Sequence, residues 1–263
     1  MRGHLQNRGT VSGEVTPEVI DLAGSSMATL VHAIPAITER TGRSVIVIGG
    51  LAVVCRLSTP YRATIDLDTL NRRTSSEPAQ LQLLLDSGAT TSGASGVLVP
   101  TTSGPVQVDV LEVTDAELER LPVDPTDRLH VLAHAWAAAT ATPLTLRVDA
   151  LDDLIVKAAT PGPLIAMKLQ SVMNRGAHKE ATDLLDILRL TLDRVAGPTA
   201  RAELELVDTQ LREDAARHAR LWFLERAART LRIVRQIPEG VGTDPDDIQL
   251  VGELLLESLH VQH

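Results

Sequence analysis

Aromatic residues make up only 2% of the 263-residue chain, so its core must consist mainly of leucine, valine, isoleucine and alanine. A single cysteine, Cys55, excludes an intramolecular disulfide framework and is typical of a reducing compartment. No apolar run approaches the roughly 20 residues of a membrane span, and no charged-then-apolar signal peptide stands at the N-terminus. We therefore expect a cytoplasmic protein without a membrane partner.

Net positive charge is also lacking, since the formal net charge is -9. This balance argues against a protein that coats nucleic acid non-specifically. Residues 217–235 are nevertheless rich in arginine and have the composition of amphipathic helices. Their basic face is either a solvated helix surface or a surface that holds an RNA backbone through arginine–phosphate contacts.

The stretch from Val45 to Leu57 has the order strand, glycine pair, helix. An apolar β-branched run ends at Ile48, Gly49 and Gly50 follow, and a second apolar run begins at Leu51. The backbone N–H groups of such a turn approach a bound anion closely, and the helix N-terminus adds partial positive charge. The pattern predicts a phosphate-binding turn.

A second strand is predicted over 63–68, directly after this helix. Alternation places Asp66 and Asp68 on one face, while Ile65 and Leu67 point into the core. Two carboxylates beside a phosphate-binding turn suit Mg²⁺, which prefers oxygen ligands from one or two carboxylates and from substrate phosphates. The alternative is a pair of solvated acids on an edge strand.

Residues 93–113 predict a β-hairpin, because two alternating apolar runs flank a Thr-Ser-Gly-Pro turn. Asp109 lies in the middle of the second strand. A lone buried carboxylate is costly unless something pairs with it, so we expect Asp109 to join Asp66 and Asp68 around a metal ion. The alternative is an edge-strand acid that faces water.

Other segments give simpler predictions. Thr16-Pro17 has the composition of a helix start. A longer helix is predicted from Ser25 to Arg40, and a loop is predicted over residues 71–78. His130 and His134 stand four apart on a predicted helix. That spacing suits zinc, but no third ligand is evident in the sequence.

Residues 163–192 predict two helices joined near Gly176. Lys168 interrupts the apolar pattern of the first helix. It is either a lysine whose stem is buried and whose ammonium reaches water, or a cation directed at a nucleotide triphosphate. Glu180 and Asp183 begin the second helix, where acids are favourable in any case.

The glycine pair, the two aspartates on one strand and the third on a later strand resemble the core of polymerase-β-type nucleotidyltransferases over about residues 44–113. Many members of that family carry serine where Gly50 stands, so a hydroxyl contact to phosphate would be missing here.

A narrower resemblance extends this to Leu192. The order lysine, arginine, acid, Asp-Leu is similar to the AbiEii family of nucleotidyltransferase toxins, which includes the mycobacterial MenT toxins. Matching residues are Arg62, Thr64, Lys168, Arg175, Glu180, Asp183 and Leu184. Many members carry aspartate at the position of Glu180, and several carry arginine at that of Lys179; exact roles for Glu180, Asp183 and Asp186 stay open.

The predicted fold is α+β. A nucleotidyltransferase core with a mixed sheet, residues 1–128, is expected to precede a mostly helical domain, residues 129–263, that contributes Lys168 and the Glu180/Asp183 segment. The resemblance implies Mg²⁺, with Mn²⁺ as an alternative, on Asp66, Asp68 and Asp109. The nucleoside triphosphate is expected to contact Gly49, Gly50, Arg62, Thr64, Lys168, Glu180 and Asp183.

The resemblance also implies an activity and its partners. The expected reaction is transfer of a nucleotidyl group to a tRNA 3′ end, which blocks translation, catalysed by Asp66, Asp68, Asp109 and Lys168. A cognate antitoxin, either a kinase or a transcriptional repressor, is the expected protein partner. The alternatives are a nucleotidyltransferase acting on a protein or a small molecule, and a degenerate protein that binds nucleotide without chemistry.

Overall fold

The structure, a computed structural model, describes residues 17–93, 96–149, 152–173 and 177–260. Its strands belong to one eight-stranded mixed sheet. They are Glu18–Leu22 (β1), Ile46–Val47 (β2), Leu67–Arg73 (β3), Thr90–Thr91 (β4), Gly96–Thr101 (β5), Gly104–Thr114 (β6), Thr142–Val148 (β7) and Leu154–Ala158 (β8).

The first five helices contact the sheet, and the later helices, which form most of the C-terminal half, pack mainly against one another. They are Ser25–Thr41 (α1), Gly49–Arg56 (α2), Gln80–Asp86 (α3), Asp115–Glu119 (α4), Pro125–Thr140 (α5), Pro161–Ser171 (α6), Ala177–Leu192 (α7), Ala196–Glu205 (α8), Thr209–Ala219 (α9), Ala227–Val234 (α10) and Pro245–Ser258 (α11). A π-helical turn spans Arg220–Glu225 and a 3₁₀ turn Pro238–Gly240. None of the helices in the described ranges is long and apolar enough to cross a membrane.

The sheet order β1-β7-β8-β2-β3-β6-β5-β4 places β2, β3 and β6 at its centre. β2 is antiparallel to β3, and β3 is parallel to β6 over seven residue pairs. The glycine turn, the strand that carries Asp68 and the strand that carries Asp109 are therefore neighbours. The predicted α+β class, a mixed sheet followed by a mostly helical half, is confirmed.

α6 lies at the centre of the helical half. Its residues from Pro161 to Gln170 are all buried, because it packs between α5, α7 and α8. Strands β7 and β8, which precede it, pair with β1 and β2 in the common sheet. Residues on both sides of position 128 thus contribute to that sheet; the predicted division of the chain at 128 stays a prediction.

The predicted helix start at Thr16-Pro17 is wrong for the described part, since Glu18–Leu22 is a strand; Thr16 lies outside the described residues. β1 pairs in parallel with β7 over its whole length. Its apolar residues Val19 and Ile20 are β-branched and favour a strand. The ladder to β7, which is distant in sequence, therefore outweighs the local helix-start signal.

The second central strand is shifted relative to its prediction. It begins at Leu67 and continues to Arg73, through residues predicted to form a loop. Its polar end is stabilised by β6: Asn71 Nδ2 donates to Glu112 Oε1 at 2.9 Å, and Arg73 Nε lies 3.4 Å from the same oxygen. Ile65, predicted to point into the core, is 84% exposed because it precedes the strand.

Candidate functional site

Gly49 and Gly50 are the first two residues of α2, which follows β2 after Ile48 alone, and they form the glycine turn. Gly49 has a φ of +61°, a left-handed conformation that favours glycine. The N–H of Gly50 donates to Asp68 Oδ2 at 3.4 Å, and the N–H of Ile48 donates to the Asp68 carbonyl at 3.0 Å. The turn therefore lies directly against β3, with the positive end of α2 beside a carboxylate.

Close approach explains why both turn positions are glycine. A Cβ at Gly49 would overlap the carboxylate of Asp68, and a Cβ at Gly50 would lie 2.7 Å from Thr64 Oγ1 and 3.1 Å from Arg62 Nη2. A serine at position 50 has no room here, because the buried Thr64 side chain occupies the space it would need.

We expect Gly49→Ala to lower the free energy of unfolding by about 2 kcal/mol more than Gly42→Ala, because overpacking adds to backbone strain. Gly42 ends α1 with a nearly identical φ of +67°, and a Cβ there would meet nothing within 4 Å. The Gly42 variant therefore isolates the backbone cost. Denaturant unfolding of both variants measures the difference, and equal losses would show that Asp68 moves aside at no cost.

The predicted acids lie on neighbouring central strands. Asp68 and Asp109 are direct partners in the parallel β3–β6 ladder, so their side chains share one face of the sheet. Asp66 stands two residues before Asp68, just ahead of β3. Its carboxylate accepts a hydrogen bond from Thr64 Oγ1 at 3.0 Å and lies 3.7 Å from Lys179 Nζ. The geometry brings the three acids to the same end of the sheet beside the glycine turn.

Asp109 differs from the other two acids in its access to ligand. Asp66 and Asp68 line a cavity of about 640 Å³, and Asp109 is absent from the residues that line it. Gln107 Nε2 donates to Asp109 Oδ1 at 2.9 Å. The same oxygen lies where a side chain at Gly96 would be. Asp109 is thus held in place by its own hairpin.

The acids beside the glycine turn offer oxygen ligands of the kind that a divalent cation prefers. Within the described residues, no group of three histidine, cysteine, aspartate or glutamate side chains is arranged to hold a metal ion. Mg²⁺ usually binds one or two protein carboxylates and completes its shell with water and substrate phosphates. Asp66 and Asp68 offer two such carboxylates, and the missing Cβ of Gly49 leaves the Asp68 oxygens accessible. The donor chemistry fits a cation that substrate helps to bind.

Lys168 lies in a buried ionic cluster. Its Nζ is 2.7 Å from Asp183 Oδ1 and 2.6 Å from Asp186 Oδ2. Asp186 is fully buried. Its carboxylate also accepts hydrogen bonds from Arg62 Nε at 3.1 Å, from Arg62 Nη2 at 2.8 Å and from the Tyr61 hydroxyl. Two cations face two carboxylates, so the charge of Lys168 is largely compensated within the protein.

Charge pairing overrides burial in this cluster. Burial disfavours a charged Lys168, but Asp183 and Asp186 outweigh it and raise the pKa of the ammonium above its ordinary value. Burial would likewise raise the pKa of Asp186, but Lys168 and Arg62 hold it below its ordinary value. Burial and the Asp186 charge raise the pKa of Tyr61, so its hydroxyl stays protonated and donates.

The acids at the start of α7 have different environments. Asp183 lines the cavity and also accepts from Ser171 Oγ at 2.8 Å. Glu180 is buried, lies 3.3 Å from Arg229 Nη2 on α10, and is not among the residues that line the cavity. Arg175, predicted from the same motif, lies outside the described residues.

The cavity joins most of the predicted site residues. Beside the two acids it is lined by Gly49, Gly50, Arg62, Thr64, Lys168 and Asp183. It is also lined by Lys179, Thr182 and the Ile237–Glu239 segment that follows α10. A volume of this size is within the range of small-molecule and cofactor sites. The cavity can hold a nucleotide against the glycine turn.

Sequence reasoning missed two features of the site. The first is the contact of Asp186 with Tyr61, Arg62 and Lys168, of which Arg62 and Lys168 line the cavity. The second is the inner wall, where His130, His134 and Gln170 stand on α5 and α6. The spacing of His130 and His134 did show that they share a helix face, but nothing in the sequence placed that face against β6.

Comparisons with known proteins add little to this geometry. No family model and no curated protein sequence matches the chain. One solved structure that is similar is an antigenic nucleotidyltransferase-like protein from Paracoccidioides brasiliensis. It is 19% identical, with a TM-score of 0.41, over 74% of this chain and 94% of that chain. A likeness this distant does not identify the activity, so the proposals below rest on the site itself.

Proposed function

We propose that the protein transfers a nucleotidyl group from a nucleoside triphosphate to a hydroxyl of an RNA acceptor. One observation carries the proposal: Asp68 and Asp109 are register partners on one sheet face, with the Asp68 carboxylate against the N–H of Gly50. Carboxylates that converge beside a phosphate-binding turn suit phosphoryl transfer, which depends on positioning and charge stabilisation. Neither solvated edge acids nor a purely structural sheet requires this arrangement.

The triphosphate is expected to lie at the glycine turn. The N–H groups of Gly49 and Gly50 and the N-terminus of α2 would contact phosphate oxygens. Arg62 lines the same part of the cavity, and Asp186 fixes its guanidinium with two hydrogen bonds. A guanidinium held in this way loses little entropy when it binds phosphate. Arg62 is therefore proposed as a preorganised contact for the triphosphate.

The reaction would proceed by in-line displacement. The acceptor hydroxyl oxygen bonds to the α-phosphorus, the bond from that phosphorus to its bridging oxygen breaks, and pyrophosphate leaves. Asp109 does not line the cavity itself, so it is proposed to accept the hydroxyl proton from an acceptor that approaches from outside the cavity. Asp66 and Asp68 would hold Mg²⁺, or Mn²⁺, which when bound supplies charge stabilisation for the triphosphate and the leaving group.

Lys168 has a supporting part in this proposal. Because Asp183 and Asp186 neutralise its charge, it holds the cluster in place beside the triphosphate more than it attracts phosphate. Its contact to Asp183, which lines the cavity, would fix that acid against the bound nucleotide. Glu180 is expected to act indirectly, through its ion pair with Arg229.

The RNA acceptor is favoured by exposed arginines near the cavity. The Arg189 guanidinium lies 5.4 Å from the centroid of the Tyr61 ring. It also donates a hydrogen bond to the carbonyl of Glu239 at 3.4 Å, and Glu239 lines the cavity. Arg226 and Arg229 both lie over the Trp222 ring, at 5.6 and 5.5 Å. Ordered arginines of this kind can contact a phosphate backbone without reading its sequence.

The resemblance to AbiEii and MenT toxins suggests the finer assignment. We propose the 3′ end of tRNA as the acceptor, a block of translation as the outcome, and a cognate antitoxin, kinase or transcriptional repressor, as the partner. The second candidate function is nucleotide binding without chemistry. It is favoured by the position of Asp109, which is not among the residues that line the cavity.

Labelled nucleotides separate the two candidates. The purified protein is incubated with Mg²⁺, total tRNA and each of the four labelled nucleoside triphosphates in turn, with a chelator-treated sample as the control. Label that enters tRNA, and is lost on chelation, supports the transferase. Nucleotide binding without incorporation into tRNA, protein or small molecules would support the second candidate instead.

A further inference from the structure

Two polar side chains at the inner wall of the cavity come from α5 and α6 and not from the glycine turn. His130 on α5 and Gln170 on α6 both line it, and His130 Nδ1 lies 3.5 Å from Gln170 Oε1. The His134 ring packs beside the His130 ring, with centroids 4.1 Å apart, and its Nδ1 lies 2.6 Å from the His130 carbonyl oxygen. Neither His130 nor Gln170 has a part in the transfer chemistry proposed above.

Gln170 is only 6% exposed, which is unusual for a glutamine. Within the described part of the chain, its amide nitrogen makes no hydrogen bond, although its oxygen lies near His130. That nitrogen is therefore available to donate a hydrogen bond to a molecule in the cavity. The side chain lines the cavity, so a ligand there can supply the missing acceptor.

The walls next to this pair are apolar. Leu111 on β6 and Leu164 and Met167 on α6 line the same cavity. Leu111 stands two residues after Asp109 and therefore on the same face of β6. A flat apolar ring fits between such walls, and a methionine sulfur makes favourable contacts with aromatic rings.

We infer that Gln170 and His130 form a subsite that binds a nucleobase edge. The inference rests on the proposed nucleotidyl transfer and names the part of the substrate that the inner wall recognises. A nucleobase is flat, and its edge carries adjacent hydrogen-bond donors and acceptors. The Gln170 amide supplies one donor and one acceptor, and the imidazole supplies either.

The incoming nucleotide is the source of this base. The subsite and the glycine turn belong to one continuous cavity, so a triphosphate at the turn and its base at the inner wall can be one molecule. The terminal base of the RNA has the same edge chemistry. The test below separates these two sources.

The test measures binding of each of the four nucleoside triphosphates, with Mg²⁺ and without RNA, by calorimetric titration. The wild-type protein should prefer one base. Gln170→Met should weaken the preferred nucleotide about tenfold, as expected for the loss of one buried hydrogen bond to a ligand, and the other three much less. His130→Asn should shift the same preference. Gln80→Met is the control, because Gln80 is equally buried but lies on α3 outside the cavity.

The outcomes separate this inference from the proposed function. If the wild-type protein binds no nucleotide, both fail. If it binds nucleotide, but Gln170→Met and His130→Asn weaken all four equally or none, the base subsite alone is wrong. A third outcome is that the two variants bind all four nucleotides as the wild type does, but differ from it in their preference among RNAs that end in different bases. That outcome would assign the subsite to the acceptor RNA and contradict the inference.

Discussion

Asp68→Asn is expected to slow nucleotide incorporation at least about a thousandfold, because several kcal/mol of transition-state charge stabilisation are lost with the carboxylate. Asparagine has nearly the same shape and can still accept the hydrogen bond from the N–H of Gly50. The turn and the sheet should therefore persist. Single-turnover incorporation of labelled nucleotide measures the rate, and circular dichroism confirms that the variant is folded.

Asp153→Asn is the matched control for this variant. Asp153 is an exposed aspartate that pairs with Arg147 at the other side of the sheet. The same chemical change there removes charge from the surface and leaves the cavity intact, so incorporation should be unchanged. A folded Asp68→Asn protein that incorporates nucleotide as fast as this control would exclude Asp68 from the chemistry.

The parts of the site that sequence reasoning placed correctly are local patterns. Gly49 and Gly50 follow a β-branched run and precede an apolar helix, so strand, turn and helix follow from residue types over a dozen positions. Alternation along β6 predicts the face that Asp109 occupies, whereas its place beside Asp68 follows from the parallel pairing of β3 with β6. Period-two alternation and glycine chemistry act within one element, which is why they can be read from one sequence.

The incorrect predictions have non-local causes. Ile65 is exposed because the pairing of β3 with β6 begins only at Leu67, and no residue near Ile65 signals where a partner strand starts. Residues 71–73 form a strand because Glu112, 41 positions after Asn71, bonds to them. Tertiary pairing outweighs local propensity at both places.

The inner wall of the cavity also depended on contacts that a single sequence does not specify. The sequence predicts a helix that contains Gln170 but not its burial, which follows from the packing of α6 between α5, α7 and α8. Asp186 was recognised without a role. Its partners Tyr61 and Arg62 precede it by more than 120 residues, and only the fold brings them to α7.

Asp186→Asn is expected to lower the free energy of unfolding by about 3–5 kcal/mol, the usual cost of removing one partner from a buried ion pair. Asp186 is fully buried and contacts Lys168, Arg62 and Tyr61. Without its charge, the buried Lys168 keeps only Asp183 as a partner, and the guanidinium of Arg62 loses its carboxylate partner. Denaturant unfolding at neutral pH measures the loss.

Double substitution tests whether uncompensated charge causes this loss. Asp186→Asn combined with Lys168→Met removes one cation together with one anion, and the buried cluster is again neutral. The double variant should regain part of the stability that Asp186→Asn loses, since removing both partners of a buried pair costs less than removing one. Strictly additive losses would show that packing, rather than charge, makes Asp186 necessary.

The pH dependence of the unfolding free energy tests independently whether the charge of Asp186 stabilises the protein. The folded state holds the pKa of Asp186 below its ordinary value of 3.8, so its stabilising contribution is present above that value. It is lost as the pH falls through the folded pKa, because protonation then removes the charge in the native protein as well. The difference in unfolding free energy between wild type and Asp186→Asn should therefore shrink in acid. A difference that stays constant as the pH falls would mean that the Asp186 charge does not stabilise the cluster.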